Sequence, residues 1–360
     1  HPDDWFLATA LAEHGRAPHA ADSFPFGPSY GYHFDAYKLG AFLRDWATAR
    51  GVTRLDRTIR EVEMHENGDV AALVTDAGER IEGDIFVDCS GFRSLIAQEA
   101  LGVPFRSFGE NLFNDRAVVM PTPHSGTPKP QTESIAMRAG WRWQIPLTSR
   151  VGNGYVYSSA HLSDEEAEAE LRKALGQPEG EARFLTMKVG RVEESWRGNC
   201  LAAGLAQGFI EPLEATALHI VIVTALEFVQ AIEAGGFTPQ HRDAFNASIA
   251  KRYEGIRDYI VAHYRLNQRS DTDYWRANAK NDALSAELKA MMTAWFRQQD
   301  MTAANDGAYG GKRYYANASW HCLFAGYGTF PPREKMQPPP AGLGVADIEG
   351  TRGMIDACLA

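Results

Sequence analysis

The sequence predicts an α/β fold that begins with a Rossmann-like module of the dinucleotide-binding type, continues with an antiparallel sheet and ends in a helical region. Strand-like runs separated by turns lead into a glycine turn and a helical run between residues 58 and 100. Residues 115–160 alternate apolar and polar side chains, as antiparallel strands do. Beyond residue 214 the pattern is mostly helical. We therefore divide the chain into residues 1–213 and 214–360.

The N-terminal segment is predicted to contain two helices joined by a loop. Residues 5–14 form the first helix, and residues 22–32, rich in proline, glycine and aromatic residues, form the loop. The second helix covers residues 36–49, because its apolar residues share one face. For His33 and Asp35, just before this helix, we favour a structural role as its cap.

Three strand-like runs follow, at residues 58–63, 70–75 and 84–89. The sequence Glu66-Asn67-Gly68-Asp69 between the first two is a strong hairpin signal. The third run ends in a glycine turn before a predicted helix over residues 95–100.

After the antiparallel region the chain becomes helical. An acidic helix is predicted over residues 164–175, with Ser163 as its N-cap. The long C-terminal helices are predicted at residues 214–234, 240–265 and 283–299. Residues 331–340 are proline-rich and form a surface connection.

Composition excludes several classes of function. The chain has 360 residues, of which 44% are hydrophobic and 23% charged, as in ordinary globular proteins. Its formal net charge of −10, without a Lys/Arg block, argues against a nucleic-acid or anionic-membrane surface. No histidines or cysteines have metal-ligand spacing, so we expect no metal site.

Cysteine usage and hydropathy favour a reducing, cytoplasmic setting without a membrane. The four cysteines are scattered, at Cys89, Cys200, Cys322 and Cys358. The most apolar stretch, residues 215–226, is shorter than the roughly 20 residues that a membrane span needs. The chain begins at His1 in what reads as the middle of a domain, so we expect it to be a piece of a longer protein.

The segment 199–225 carries the most information about function. A short apolar strand ends in a glycine-containing turn, passes Glu211-Pro212-Leu213-Glu214 and enters a long apolar helix. The free N–H groups of a helix start favour an anion, and Glu214 lies at the same place. The pattern also fits a core strand–turn–helix in which the helix dipole favours both glutamates.

A second motif is Trp141-Arg142-Trp143-Gln144-Ile145-Pro146. Two tryptophans on one face of a strand are usually core residues. Taken together with the segment 199–225, however, this motif closely resembles the flavin-dependent tryptophan halogenases. The resemblance covers essentially the whole chain and implies an FAD-binding module of the flavin monooxygenase type.

The resemblance implies roles for five residues of the segment. The active-site glutamate of the family falls on Glu214. Two backbone N–H groups that bind the halide fall on Thr216 and Ala217. Contacts to the flavin fall on Leu205 and Leu218.

Further roles follow from the same resemblance. Ile59 matches a position whose backbone contacts the adenine end of the cofactor. Trp141 and Trp143 would keep the substrate away from the flavin, because bulky side chains block direct oxygenation. The family usually has Ser after the catalytic glutamate and Gly after the Thr, where this chain has Ala215 and Ala217.

The run from His263 to Trp275 reads as the end of an amphipathic helix and a polar turn, but the resemblance makes it substrate-binding. Tyr274 and Trp275 preserve an aromatic pair that would sandwich an indole. Ser270 stands where an ammonium-binding glutamate would be, and His263 where a tyrosine would be. The backbone carbonyl of Glu214 can accept the indole N–H. Because a charge-assisted bond to an ammonium is strong, its loss favours an indole over free tryptophan.

The resemblance also implies the co-reactants. A separate flavin reductase would supply reduced FAD, and chloride or bromide would be oxidised to hypohalous acid, which halogenates a small aromatic substrate. The family's Gly-x-Gly-x-x-Gly phosphate loop and its catalytic lysine have no counterpart in this chain. A homodimer is compatible with the family.

Two other functions stay open at the level of sequence. An FAD-dependent monooxygenase that hydroxylates an aromatic would share the flavin module, although the barrier of Trp141 and Trp143 counts against it. A non-catalytic binding fragment would explain why neither the phosphate loop nor the lysine is provided. We expect the halogenase.

Overall fold

A computed structural model of the chain describes residues 2–16, 30–124, 126–177, 179–338 and 345–359. Residues 22–29 of the predicted loop and residues 339–340 of the predicted proline-rich connection lie outside the described residues.

The described strands are β1 Ile59–Met64, β2 Val70–Thr75, β3 Arg80–Glu82, β4 Phe86–Asp88, β5 Phe105–Ser107, β6 Arg116–Val119, β7 Glu133–Met137, β8 Gly140–Pro146, β9 Val151–Tyr157, β10 Arg183–Thr186, β11 Gly190–Val192, β12 Trp196–Arg197, β13 Cys200–Ala202 and β14 Gly208–Phe209. The described α-helices are α1 Leu7–Glu13, α2 Ala36–Thr48, α3 Asp164–Leu175, α4 Ala217–Ala234, α5 Arg242–Arg265, α6 Asp273–Lys280, α7 Ala286–Phe296, α8 Met301–Tyr309, α9 Asn317–Gly326 and α10 Val345–Leu359. The predicted strands and helices are present with ends that differ by a few residues, whereas α6, α8, α9 and α10 lie outside the predicted set.

The mixture of helices with parallel and antiparallel strands confirms the α/β fold. Strands β4 and β13 are parallel, with Phe86 opposite Cys200 and Asp88 opposite Ala202. Together with β12 they form a sheet of order β12-β13-β4. Parallel strands need a long crossover connection, and here the antiparallel sheet and helix α3 lie within it.

The helix predicted over residues 95–100 is a π-helical turn. Ser94 enters it in the left-handed conformation, with φ of 51°. Its carbonyl accepts hydrogen bonds from the N–H groups of both Gln98 (2.9 Å) and Glu99 (3.2 Å), which widens the turn. The buried carboxylate of Asp88 accepts two further N–H groups at its start, at 2.8 and 2.9 Å.

The antiparallel sheet predicted over residues 115–160 is confirmed. Its strand order is β10-β6-β9-β8-β7, and β10 joins from outside the predicted range. Trp141 lies opposite Val156, and Trp143 lies opposite Gly154. Because the two tryptophans are two residues apart on β8, they lie on the same face of the sheet.

Two predicted helix caps are confirmed. Ser163 forms a capping box with Glu166 at the start of α3. Asp35 accepts hydrogen bonds from two N–H groups in the first turn of α2. His33 does not cap this helix, because its Nδ1 lies 2.9 Å from the carbonyl oxygen of Pro146 at the end of β8.

Helix α4 continues well beyond the apolar stretch at residues 215–226. The helical segment Leu213–Ala234 is long and apolar enough to cross a membrane by length and composition, and 22% of its most apolar window is buried. The expectation that this region is too short is therefore wrong. One such helix is weak evidence for a membrane span, because the core helix of a globular protein passes the same test.

The largest core cluster among the described residues lies between the antiparallel sheet and the C-terminal helices. It includes Tyr155 on β9, Ile210 in the turn before α4, Ile260 on α5 and Phe324 on α9. The cluster thus contains residues on both sides of the boundary at 213/214, and the division into two regions stays a prediction.

Candidate active site

The turn between β14 and α4 has an unusual backbone. Glu214 and Ala215 both have positive φ, at 67° and 52°. Two consecutive residues in the left-handed region cannot continue a right-handed helix, so α4 begins at Ala217 rather than at Glu214 as predicted. Non-glycine residues in this region cost about 1–3 kcal/mol each and are held only by surrounding structure.

The start of α4 offers unused backbone donors. Thr216 is the N-cap residue, and its side chain makes no capping hydrogen bond. Among the described turns and loops, no backbone hydrogen bond uses the N–H groups of Thr216 or Ala217. Such donors at the positive end of a helix dipole suit an anion.

A cavity of about 730 Å³ opens next to this turn. Its described lining comes from the sheet, the turn and the C-terminal helices: Thr132, Ser134, Ala136, Trp141, Trp143, Ile145, Pro212, Leu213, Glu214, Ala215, His263, Tyr264, Trp275 and Tyr327. None of these is Lys or Arg. Five of them, Trp141, Trp143, Glu214, His263 and Trp275, are residues to which the resemblance assigned a role.

Glu214 faces the cavity among aromatic side chains. Its Oε1 lies 3.2 Å from Nε2 of His263, within ion-pair distance, although the two atoms are not aligned as a hydrogen bond. Burial and then the charge of Glu214 raise the pKa of Tyr327 to about 12. The same two causes raise the pKa values of Tyr259 and Tyr315, so the charge of Glu214 acts on three tyrosines.

Glu211 is the buried counterpart of Glu214. Its carboxylate accepts hydrogen bonds from Asn114 Nδ2, at 3.0 Å, and from the hydroxyl of Tyr264. Asn114 in turn accepts from the hydroxyl of Tyr274 at 2.9 Å. Burial raises the pKa of Glu211 to about 7, and these hydrogen bonds oppose the shift. The indole N–H of Trp141 also opposes it, without completing a hydrogen bond of normal geometry.

The two tryptophans form one wall of the cavity. Their ring centroids are 6.1 Å apart, and their planes are tilted by 57°. Trp141 is buried, whereas Trp143 is partly exposed to the cavity. Trp143 has space only because residue 154 on the neighbouring strand is glycine: a Cβ there would lie 2.1 Å from its ring.

This contact gives a testable prediction. We expect Gly154→Ala to displace the Trp143 indole and to lower the free energy of unfolding by about 1–3 kcal/mol, the usual cost of overpacking. Chemical denaturation measures the effect. The matched control is Gly152→Ala on the same strand, where the nearest atom to a new Cβ is 3.7 Å away. Equal stability of the two variants would contradict the prediction.

Some of the predicted substrate-binding residues line the cavity and others do not. Trp275 lines the cavity, and its indole N–H donates to the carbonyl of Met137 at 2.7 Å. Tyr274 is buried, lies outside the cavity lining and contacts Trp275 edge to face. Ser270 is exposed and also lies outside the described lining. Tyr264, which the sequence did not single out, is stacked against Trp275 in the cavity wall.

Two of the predicted flavin contacts, Leu205 and Leu218, lie on elements that contact each other, and the third, Ile59, lies on a separate element. Leu205 belongs to a short 3-10 turn, Gly204–Ala206, that contacts α4, and Leu218 lies in the first turn of α4. Both side chains are exposed, by 41% and 53%. Ile59 lies on β1, in the sheet of order β1-β2-β3, and is half-buried.

Sequence reasoning missed the residues that complete the site. Asn114, Tyr264 and Tyr327 come from three distant parts of the chain, and no local pattern marks them. Glu211 was visible as one of two glutamates around Pro212, but nothing in the sequence separates the buried one from the one in the cavity. Among the described residues, no group of three or more His, Cys, Asp or Glu could hold a metal ion.

Comparison with known proteins gives a consistent result. A family profile described as tryptophan halogenase matches residues 2–338. The chain is 39% identical over 305 residues to the 7-chloro-L-tryptophan 6-halogenase KtzR of Kutzneria sp. (strain 744), covering 83% of this chain and 58% of KtzR. It is 40% identical over 273 residues to the tryptophan 6-halogenase SttH of Streptomyces toxytricini, covering 74% of this chain and 52% of SttH. The chain thus spans a little over half the length of these relatives.

Solved structures agree. The crystal structure of SttH matches 99% of this chain and 73% of that chain, with a TM-score of 0.88 and 31% identity. BrvH, a flavin-dependent halogenase from Brevundimonas sp. BAL3, matches 99% of this chain with a TM-score of 0.84 and 35% identity.

Proposed function

Because the chain belongs to the tryptophan halogenase family, we propose that the protein is a flavin-dependent halogenase that chlorinates or brominates an indole or a tryptophan-like aromatic. One observation carries the proposal: Glu214 is held in a left-handed turn at an aromatic cavity, two residues before the unused N–H groups that begin at Thr216 and Ala217. Since the chain spans 58% of KtzR and 52% of SttH, the activity of the whole protein is part of the proposal.

The flavin ring of FAD fits the described residues. The exposed side chains of Leu205 and Leu218 form an apolar surface next to the start of α4, which suits the face of a flavin ring. We propose these two residues and the backbone of Ile59 as cofactor contacts. When bound, the reduced cofactor would supply the two electrons that activate oxygen, and the activated oxygen would oxidise the halide to hypohalous acid.

The residues of this chain perform the remaining tasks. The N–H groups of Thr216 and Ala217 bind the halide at the positive end of α4. Trp141 and Trp143 separate the arene from the cofactor. Glu214 orients the halogenating species or takes the proton that the ring carbon loses, a general-base role.

The cavity favours a neutral arene. Trp275 offers an aromatic face for stacking, and the backbone carbonyl of Glu214 can accept an indole N–H. Because none of the described lining residues is Lys or Arg, none of them offers a permanently charged partner to a free carboxylate. Ser270 offers no charge to an ammonium. We therefore propose bare indole, or an indole within a larger molecule, in preference to free tryptophan.

Product analysis tests the function. The protein, as its gene encodes it, would be supplied with FAD, a flavin reductase, oxygen and indole, in chloride or in bromide buffer. We expect mass spectrometry to detect a monochlorinated or a monobrominated product, and kcat/KM to be at least about tenfold higher for indole than for L-tryptophan. An oxygenated product that does not depend on the halide would contradict the halogenase and support a monooxygenase.

The partners follow from this chemistry. We propose that a separate flavin reductase supplies the reduced cofactor and that the protein acts in the cytoplasm, where scattered cysteines stay reduced. A homodimer remains part of the proposal, and sedimentation velocity tests it.

A further inference from the structure

A histidine lies within ion-pair distance of the proposed catalytic carboxylate. Nε2 of His263 lies 3.2 Å from Oε1 of Glu214. The side chains are 17% and 37% exposed, and both line the cavity. An imidazole at this distance can exchange a proton with the carboxylate after a small adjustment.

The imidazole is fixed in place by aromatic neighbours. His263 lies in the last turn of α5. Its ring centroid is 5.3 Å from that of Tyr259 and 6.1 Å from that of Tyr327, and both tyrosine rings are nearly perpendicular to it. Tyr259 is itself held by a stack on Tyr315 at 3.7 Å and by a hydrogen bond from its hydroxyl to the carbonyl of Ser319. These contacts leave the ring little freedom to turn away from Glu214.

No other described group in the cavity can take up the proton from Glu214 equally well. The tyrosines around it, Tyr259, Tyr315 and Tyr327, have raised pKa values and are neutral proton donors near pH 7. Arg265, in the same last turn of α5, donates to the carbonyl of Ala279 and pairs with Asp282. Among the described lining residues His263 is the one basic side chain.

We propose that His263 is the second proton carrier of the site and acts through Glu214. This inference rests on the proposed halogenation. A π-electron pair of the arene forms the carbon–halogen bond while the oxygen–halogen bond of hypohalous acid breaks. The departing hydroxide takes a proton from solvent and becomes water, and His263 later returns the ring proton to solvent, so the protons balance. The ring carbon then loses its proton to Glu214, the C–H electron pair restores the aromatic ring, and Glu214 passes the proton to Nε2 of His263.

Two substitutions separate proton transfer from positioning. Gln at position 263 keeps an N–H donor for Glu214 but cannot accept a proton. Phe keeps the ring contacts to Tyr259 and Tyr327 but has neither donor nor acceptor. We expect His263→Gln and His263→Phe to lower kcat for indole by about tenfold or more. The KM for indole should change little.

An isotope effect provides the readout that a purely structural role would not change. With ring-deuterated indole we expect a small isotope effect on kcat in wild type, because His263 removes the proton from Glu214 quickly. We expect a clearly larger effect in both variants, because a proton that Glu214 cannot pass on returns to the ring carbon and net proton loss becomes limiting. Calorimetric binding of indole and far-UV circular dichroism should match wild type, which shows that fold and cavity are intact.

The outcomes are distinct. If His263→Gln retains the wild-type kcat and isotope effect while His263→Phe does not, the histidine only positions Glu214 and the proton-transfer role is overturned. If both variants behave as wild type, His263 has no part in the reaction. A wild-type protein that yields no halogenated indole contradicts the proposed function itself, and the role of His263 falls with it.

Discussion

Replacing Glu214 with glutamine is expected to lower halogenation by about 100-fold, the low end of general acid–base contributions. Glutamine has nearly the same shape, so it preserves the left-handed turn and the contact with His263. It cannot accept the proton of the halogenated ring carbon at neutral pH. Single-turnover product formation from indole, followed by mass spectrometry, measures the effect.

The control for this variant is Glu233→Gln, an exposed glutamate near the end of the same helix. It changes the net charge by the same amount, far from the cavity, and should halogenate as wild type does. Full turnover by Glu214→Gln would remove the proposed role of this carboxylate.

The wild-type protein is expected to lose stability as the pH rises to neutral and alkaline values, and replacing Glu211 with glutamine is expected to prevent this loss. Burial raises the pKa of Glu211 from 4.5 to about 7 in the folded protein. The folded protein is therefore stabilised when Glu211 is protonated. This contribution to the free energy of unfolding is complete below about pH 4.5 and is lost as the pH rises through about 7. The gap corresponds to about 3 kcal/mol, so the wild-type free energy of unfolding should fall by about that much between pH 4.5 and 8, relative to the variant.

Denaturant unfolding at a series of pH values tests this expectation. Glu233→Gln again serves as the control and should follow the wild-type pH dependence. Parallel curves for wild type and Glu211→Gln would show that Glu211 ionises in the folded protein as it does in the unfolded chain. Glu211 is hydrogen-bonded to Tyr264 and, through Asn114, is linked to Tyr274. The same experiment therefore tests the hydrogen bonds that support the two tyrosines packed against Trp275.

Much of the fold could be predicted because its signals are local. Ser163 followed three residues later by Glu166 identifies a helix start, and alternation over residues 115–160 identifies a sheet. Helix starts depend on backbone conformation as well. Glu214 and Ala215 adopt positive φ without glycine, and no residue type announces that choice, so the predicted helix began three residues too early.

The site itself divides in the same way. Trp141, Trp143 and Glu214 could be identified because each belongs to a short motif. The pairing of Glu214 with His263, and of Glu211 with Asn114, joins residues far apart in the chain and depends on how α5 and the sheet pack. Burial also decides which glutamate is which, since Glu211 is enclosed while Glu214 faces open space.

The unused N–H groups at the start of α4 have an evolutionary consequence. The anion site that we propose there is built from main-chain donors and has no side chain that a mutation can delete, so the residue types at 216 and 217 can change while the donors persist. Only proline, which lacks the donor, would remove a ligand directly. Selection on such a site acts on the backbone conformation. Genome searches for fixed residue identities will therefore overlook proteins that have kept this conformation but have other residues at these positions.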